Sequence, residues 1–424
     1  MASTAWLEWC EQKTPAAARE PSELLRSLRT VTPSPHVAST VYVDETTHRQ
    51  WVSNMPSVGE APQIGIGAPV ELAMFATNDY LGLSMHPAVR SAAAAAASEH
   101  GCGPRSSALV CGYTAAHRML ESSLAALKSS EECLLFPTGY AANLAVLGAL
   151  ADAEDCAIFS DELNHASIID GSLLATRRRQ GASLHIYRHN DLEHLDALLS
   201  ASSAPRKLIV SDSLFSMDGD YADCAGLVQL RHRHGALLCL DEAHATLVCG
   251  EHGGGAAEAA GVAHEVDVHV GTLSKAFGAH GGFVATSAPL KQLLLSRGRA
   301  GIYSTALPAP VLAAASAALE HATPALRAQL RDNVDLFAQT AGLEPGGSHI
   351  VPIVVGDAAA ALGASASLLR QGFHVPAIRP PTVPAGSSRL RIALSAAHSH
   401  AQITALSQAL RATGVLSRRL LLFR

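Results

Sequence analysis

The chain has 424 residues, enough for two or three domains. Hydrophobic residues make up 48% and charged residues 16%, ample apolar surface for a large core, which excludes a wholly disordered chain. Lys and Arg total 31 against 37 Asp and Glu, a net charge of −6, which leaves no basic footprint for nucleic acid or an anionic membrane.

The eight cysteines, at 10, 102, 111, 133, 156, 224, 239 and 249, form no C-x-x-C pair. Several lie in apolar runs such as EECLLF (131–136) and ALLCLDEAH (236–244). They read as buried thiols in a reducing compartment, not as a disulfide framework or a zinc site. No apolar stretch reaches the ~18 residues that span a bilayer. Glu8, Glu11 and Glu20 argue against a signal or transit peptide, and the C-terminal LLLFR is no recognised address. A cytoplasmic location is expected, with a peroxisomal one left open.

Residues 1–75 begin amphipathically, pass through TVTPSPHVASTVYVDE (30–45) and continue as strand-like pieces broken by Gly and Pro. They predict an N-terminal arm with a small hairpin. Residues 76–320 alternate short Leu- and β-branched-rich runs with helical ones. KLIVSDS (207–213), AGLVQLRHRHG (225–235), GALLCLDEAH (235–244) and VDVHVGTLSK (266–275) are examples. A strand spacing near ~30 residues suits βαβ crossovers and a mostly parallel sheet in a large α/β domain. Residues 321–424 combine helical stretches with HIVPIVVGD (349–357) and RLRIALS (389–395), a small α+β domain.

Four features fall at predicted strand ends or first helical turns, where open α/β sheets place ligands. Lys275, in GTLSKAFGAHGG (271–282), follows an apolar strand in a Gly- and Ser-containing turn, where desolvation would make its amine a nucleophile for a carbonyl. Asp241 ends a buried strand with His244 three residues on; its partner could be a pyridinium nitrogen, a structural Arg or a metal. No third imidazole sits at metal-ligand spacing. Gly139 and Tyr140 open an apolar helix in FPTGYAANLAVLGALA (136–151), a seat for phosphate. His165, in SDELNHASIIDG (160–171), follows the strand-like AIFS and could stack on a cofactor ring. Together these fit pyridoxal 5′-phosphate (PLP), which needs an amine, a carboxylate, a phosphate cradle and a stacking face.

NDYLGLSMHP (78–87), GTLSKAFGAHGGF (271–283) and IYSTALP (302–308) resemble the α-oxoamine synthases, fold-type I PLP enzymes. The resemblance runs from about residue 20 to 410. It implies a seven-stranded, mostly parallel sheet in the large domain and a homodimer with active sites at the interface. AIRPPTVPAGSSRLRIALSAAH (377–398) is most similar to the branch that condenses L-alanine with pimeloyl-CoA, and GPRSSALVCGYTAAHRMLESSLA (103–125) and SDELNHASIIDG (160–171) look most like its plant-type form; a sister synthase using glycine with another acyl-CoA is the alternative. By resemblance, Lys275 binds the cofactor covalently, Asp241 pairs with its ring nitrogen, His244 bonds its phenolic oxygen and His165 stacks on the ring. Ser216 also lines it. Gly139, Tyr140 and Thr272 hold the phosphate, and Ser304 and Thr305 approach from the dimer mate. Arg391 would bind the amino-acid carboxylate with Asn78 nearby, and Thr382 and Arg26 match acyl-substrate contacts, with Arg29 an equal match for the latter. Two departures stand out: Ser106 where relatives usually have Gly, and Gly254 where an Arg is common.

Overall fold

A computed structural model describes residues 29–53, 69–151, 155–177, 182–344 and 347–416. The chain divides into two compact units: residues 78–330, and the described parts of 1–77 with those of 331–424.

The first unit is built on seven strands: β1 (Glu132–Phe136), β2 (Cys156–Asp161), β3 (Ser183–Tyr187), β4 (Arg206–Asp212), β5 (Leu237–Asp241), β6 (Val268–Thr272) and β7 (Gly282–Thr286). They are ordered β1-β7-β6-β5-β4-β2-β3. Only β7 runs against its neighbours β1 and β6; the pairs from β6 through to β3 are parallel. This is the sheet that the resemblance implies. Every residue of β2, β6 and β7 is buried, as expected of strands covered on both faces by crossover helices. The core joins Ile158, Val210, Cys239 and Val270 of the sheet to Ala142, Val146 and Leu150 of helix Gly139–Leu150. That helix is apolar almost all round and largely buried, so its first turn is held rigidly against the sheet.

In the second unit, strands Thr40–Val43 and Val70–Met74 pair antiparallel, and Phe373–His374 joins parallel to Val70–Met74. The N-terminal strands are therefore built into the C-terminal segment. A separate sheet places Ser388–Ala393 between Ile350–Gly356 and Ala377–Ile378. Asp44 and Ser399 cap the helices that follow them, accepting from Thr47 N and Gln402 N. Among the described residues no helix is long and apolar enough to cross a membrane.

Behind the end of β5 lies a buried ionic cluster. Lys128, wholly inaccessible, donates to Glu242 Oε2 (2.8 Å), Thr246 Oγ1 (2.8 Å) and the Gly254 carbonyl. Glu242 also accepts from Ala257 N (3.0 Å), and His269 Nδ1 lies 2.7 Å from Oε2. This explains the glycine at 254: a Cβ there would lie 2.9 Å from the Leu127 carbonyl, in the turn that brings Lys128 in. Burial alone would push the Glu242 carboxyl up, but Lys128 and His269 bring it down to about 2. The carboxylate therefore contributes stability above its ordinary value of 4.5, lost as pH falls from there toward 2. Lys128→Met is expected to cost about 3–5 kcal/mol in urea unfolding at neutral pH, and the deficit should narrow as Glu242 is titrated in acid.

Candidate active site

The carboxyl ends of β2, β4, β5 and β6 open on one cavity of about 210 Å³. Lys275, Asp241, His244, His165, Ser216, Gly139, Tyr140 and Thr272 all line it. The sequence-predicted cluster is thus brought together by the topology, at strand ends where α/β sheets leave room for ligands.

Asp241 is oriented by two donors: Asn143 Nδ2 to Oδ2 (2.6 Å) and Ala243 N to Oδ1 (2.9 Å). The second hydrogen of Asn143 reaches Ser167 Oγ (2.9 Å). Ser167 in turn lies 2.7 Å from His165 Nδ1, which accepts its backbone N–H at 3.2 Å. A ring nitrogen that accepts carries no proton, so His165 is the neutral Nε2–H tautomer. Burial lowers its pKa in the same direction.

Lys275 Nζ lies 2.7 Å from His244 Nε2, and His244 Nδ1 lies 2.6 Å from Tyr80 Oη, which also donates to Asn78 Oδ1 (3.0 Å). Asn78 is therefore linked to the lysine through two rings. Asp212, opposite Asp241 in the parallel register of β4 and β5, also faces the cavity. Burial and then the neighbouring Asp241 push its carboxyl well above the usual carboxylate range. One of its oxygens accepts His165 N (2.8 Å).

The cavity's other end suits an anion. Thr138 caps helix Gly139–Leu150 by accepting Ala141 N at 3.0 Å, and its carbonyl takes Ala142 N. That leaves the Gly139 and Tyr140 N–H groups at the positive end of the helix. Thr272 and Ser274, whose hydroxyls are 2.8 Å apart, line the same pocket. A Cβ on Gly282 would lie 2.4 Å from Gly139 N and from the Thr138 carbonyl, so only glycine lets β7 pack beneath this turn. An amine, an oriented carboxylate, a neutral ring and an anion seat within one small cavity form a donor set that fits PLP.

Other predicted residues lie elsewhere. Ser304 and Thr305 line a second cavity of about 380 Å³ with Tyr113, His117 and Lys291. The segment is held there by a bridge between Thr305 and Ser107 and by Ala306 N donating to Ser106 O. Arg391 and Thr382 belong to the other unit, where Arg391 is a buried residue of strand Ser388–Ala393 and Thr382 N donates to Arg379 O. Arg26 lies outside the described residues. Arg29 is 3.0 Å from His374 Nε2, with its guanidinium 5.3 Å from the centre of the Trp51 ring. Burial and the nearby Arg379 lower its pKa. Among the described residues no carboxylate pairs with it.

Sequence reasoning missed Asn143, Ser167, Tyr80, Asp212 and Ser274. Two had a signal. Asn143 is the one amide in an otherwise apolar helix, and Asp212 ends a buried strand just as Asp241 does.

Residues 71–410 match the aminotransferase class I and II family. The chain is 49% identical over 392 residues to the 8-amino-7-oxononanoate synthase of Arabidopsis thaliana, covering 87% of this chain and 82% of that one. Among solved structures, a serine palmitoyltransferase with PLP is similar at a TM-score of 0.77 and 31% identity, covering 81% of this chain and 89% of the other. The 8-amino-7-oxononanoate synthase of Francisella tularensis has a TM-score of 0.69 at 28% identity, covering 82% and 98%.

The close approach under the anion seat can be tested on its own. Gly282→Ala is expected to destabilise by about 1–3 kcal/mol through overpacking. Gly363→Ala, mid-helix with nothing within 4 Å of the new Cβ, should be neutral or slightly stabilising. Urea unfolding of the two variants reads the contrast.

Proposed function

Because the chain belongs to the class I and II aminotransferase family, and within it to the 8-amino-7-oxononanoate synthases, we propose that its pocket condenses L-alanine with pimeloyl-CoA. The products are 8-amino-7-oxononanoate, CoA and CO₂. The observation that carries the chemistry is the convergence of Lys275, the pinned Asp241 carboxylate and neutral His165 on one cavity.

When bound, PLP supplies an electron sink that stabilises negative charge at the amino acid's Cα. Lys275 would hold the cofactor through its Nζ, and the same nitrogen would be the group that moves a proton at the amino acid's Cα. His244, held by Tyr80, fixes the position of the Lys275 nitrogen. Asp241, with both oxygens oriented, holds a proton on the ring nitrogen, so positive charge sits where electrons must flow. His165 would offer the ring an uncharged face, which avoids repulsion with a pyridinium, and its Nε2–H would be available to polarise the thioester carbonyl. Gly139 and Tyr140 N–H, with the Thr272 hydroxyl, bind the phosphate, and Ser216 lines the ring.

By resemblance, the alanine carboxylate is assigned to Arg391 of the second unit and to Asn78, a residue of the first. The acyl chain's terminal carboxylate is assigned to Arg29, an exposed residue with no carboxylate partner among the described residues, with Thr382 as a further acyl contact. A homodimer accounts for Ser304 and Thr305: they line a separate cavity, beside Val110, Met119 and Tyr303, which are 76%, 70% and 72% exposed. A second copy would cover these side chains and bring both hydroxyls to its own phosphate.

Release of free thiol from pimeloyl-CoA by the PLP-loaded protein tests this reading, with L-alanine and glycine in parallel. Alanine-dependent release is expected. Release with glycine alone would move the chain to a sister synthase, and release with neither would contradict the proposed acyl donor.

A further inference from the structure

His189 lies in the turn after β3, on the edge strand of the large sheet, and takes no part in the chemistry proposed above. Its Nδ1 is 3.0 Å from Asp161 Oδ1 and its Nε2 is 2.8 Å from Asp220 Oδ2. An ionised carboxylate only accepts, so both ring nitrogens donate and the ring is an imidazolium. It stands edge-on to Phe215, with ring centres 4.4 Å apart and planes at 90°.

Asn190, in the left-handed region at φ +54°, doubles the tie. Its N–H donates to Asp161 Oδ2 (2.9 Å), and its Nδ2 donates to Asp220 Oδ2 (2.8 Å) and the Tyr221 carbonyl (3.1 Å). The two carboxylates come from different segments, one at a strand end and one in the loop after β4. Asp161 closes β2, four residues before His165. Asp220 is four residues after Ser216, in a loop that Phe215 N and Ala222 N close on the Asp220 and Ser213 carbonyls (2.9 and 3.1 Å).

We infer that His189 is a positioning residue: its imidazolium, clamped between Asp161 and Asp220, sets the separation of His165 and Ser216 across the PLP pocket. This rests on the reading above that those two residues flank the cofactor. The clamp is electrostatic as well as steric. Glu162 Oε1 also faces it, accepting His189 N at 2.9 Å, while Arg188 of the same turn is occupied by Asp191. Burial alone would strip the proton, but Asp161 and Asp220 retain it and raise the pKa to about 10. A folded value above the ordinary 6.5 means that the clamp's contribution to folding stability is fully present below about 6.5 and lost as pH rises through about 10, and that in the folded protein the ring keeps its charge until pH approaches 10.

Two readouts on wild type, His189→Gln and Asp220→Asn test this. The first is amide hydrogen exchange without cofactor. His189→Gln should speed exchange at Phe215 and Gly219, and unchanged exchange would overturn the clamp. The second is the dissociation constant of PLP, followed by its absorbance. At pH 7 His189→Gln should weaken binding about tenfold, the scale of one charge-assisted bond. Asp220→Asn keeps an acceptor and should lose less. The ratio of His189→Gln to wild type should hold steady from pH 7 to about 9 and shrink toward one only as pH passes through about 10, where the wild-type clamp discharges. Faster exchange with unaltered PLP affinity, or a ratio independent of pH, would overturn the positioning role. Should wild type itself fail to bind PLP, the pocket assignment falls, while the exchange comparison still reports on the clamp. If His189→Gln does not fold, Asp220→Asn carries both readouts.

Discussion

Two consecutive carboxylates at the end of β5 have to be kept apart, and the rest of the site is organised around that. Asp241 faces the ligand cavity, while Glu242 faces the core, wholly buried, against Lys128, His269 and the Ala257 amide. An unpaired carboxylate in such a place would cost several kcal/mol. Lys128 removes that cost for Glu242, and its remaining hydrogens tie down Thr246 and Gly254. The turn from 241 to 246, which also presents His244 to Lys275, is thus anchored from behind by charge before any ligand arrives.

On the cavity side the same economy of charge recurs. Asp241 and Asp212 stand opposite one another on adjacent strands, and one small pocket cannot hold both as bare anions. The structure resolves this unequally. Asp241 receives two short donors, whereas Asp212, raised by burial and by Asp241, keeps its proton more readily. The relay Asp241–Asn143–Ser167–His165 then couples the carboxylate on one strand to the neutral imidazole that follows another. A cationic heteroaromatic ring placed between them would meet a fixed negative charge at one edge and an uncharged face above. This arrangement favours electron withdrawal into the ring without reorganisation.

Much of this was legible in the sequence, for definable reasons. A charged residue at the end of an apolar run, as at Asp241 and Lys275, is conspicuous because burial makes it costly. A Gly opening an apolar helix, as at Gly139, is a recognisable anion seat. Asn143 and Asp212 carried similar signals, but each needed its partner, Asp241, to be seen across an intervening crossover of nearly 30 residues or more. That Ser304 and Thr305 line a cavity apart from Lys275 was not legible, because nothing in the run IYSTALP says which cavity its turn will line. The absent Arg at 254 was visible. What was not visible is that a lysine more than a hundred residues earlier delivers its charge to that backbone carbonyl.

The most direct test of the central claim, that this cavity holds PLP on Lys275, is borohydride reduction of the PLP-loaded protein followed by peptide mapping. Reduction converts the link between cofactor and lysine to a stable secondary amine. A single pyridoxyl mass on the peptide bearing Lys275 is the predicted result. Label on another lysine, or no stable label on a protein that is otherwise folded, would contradict it.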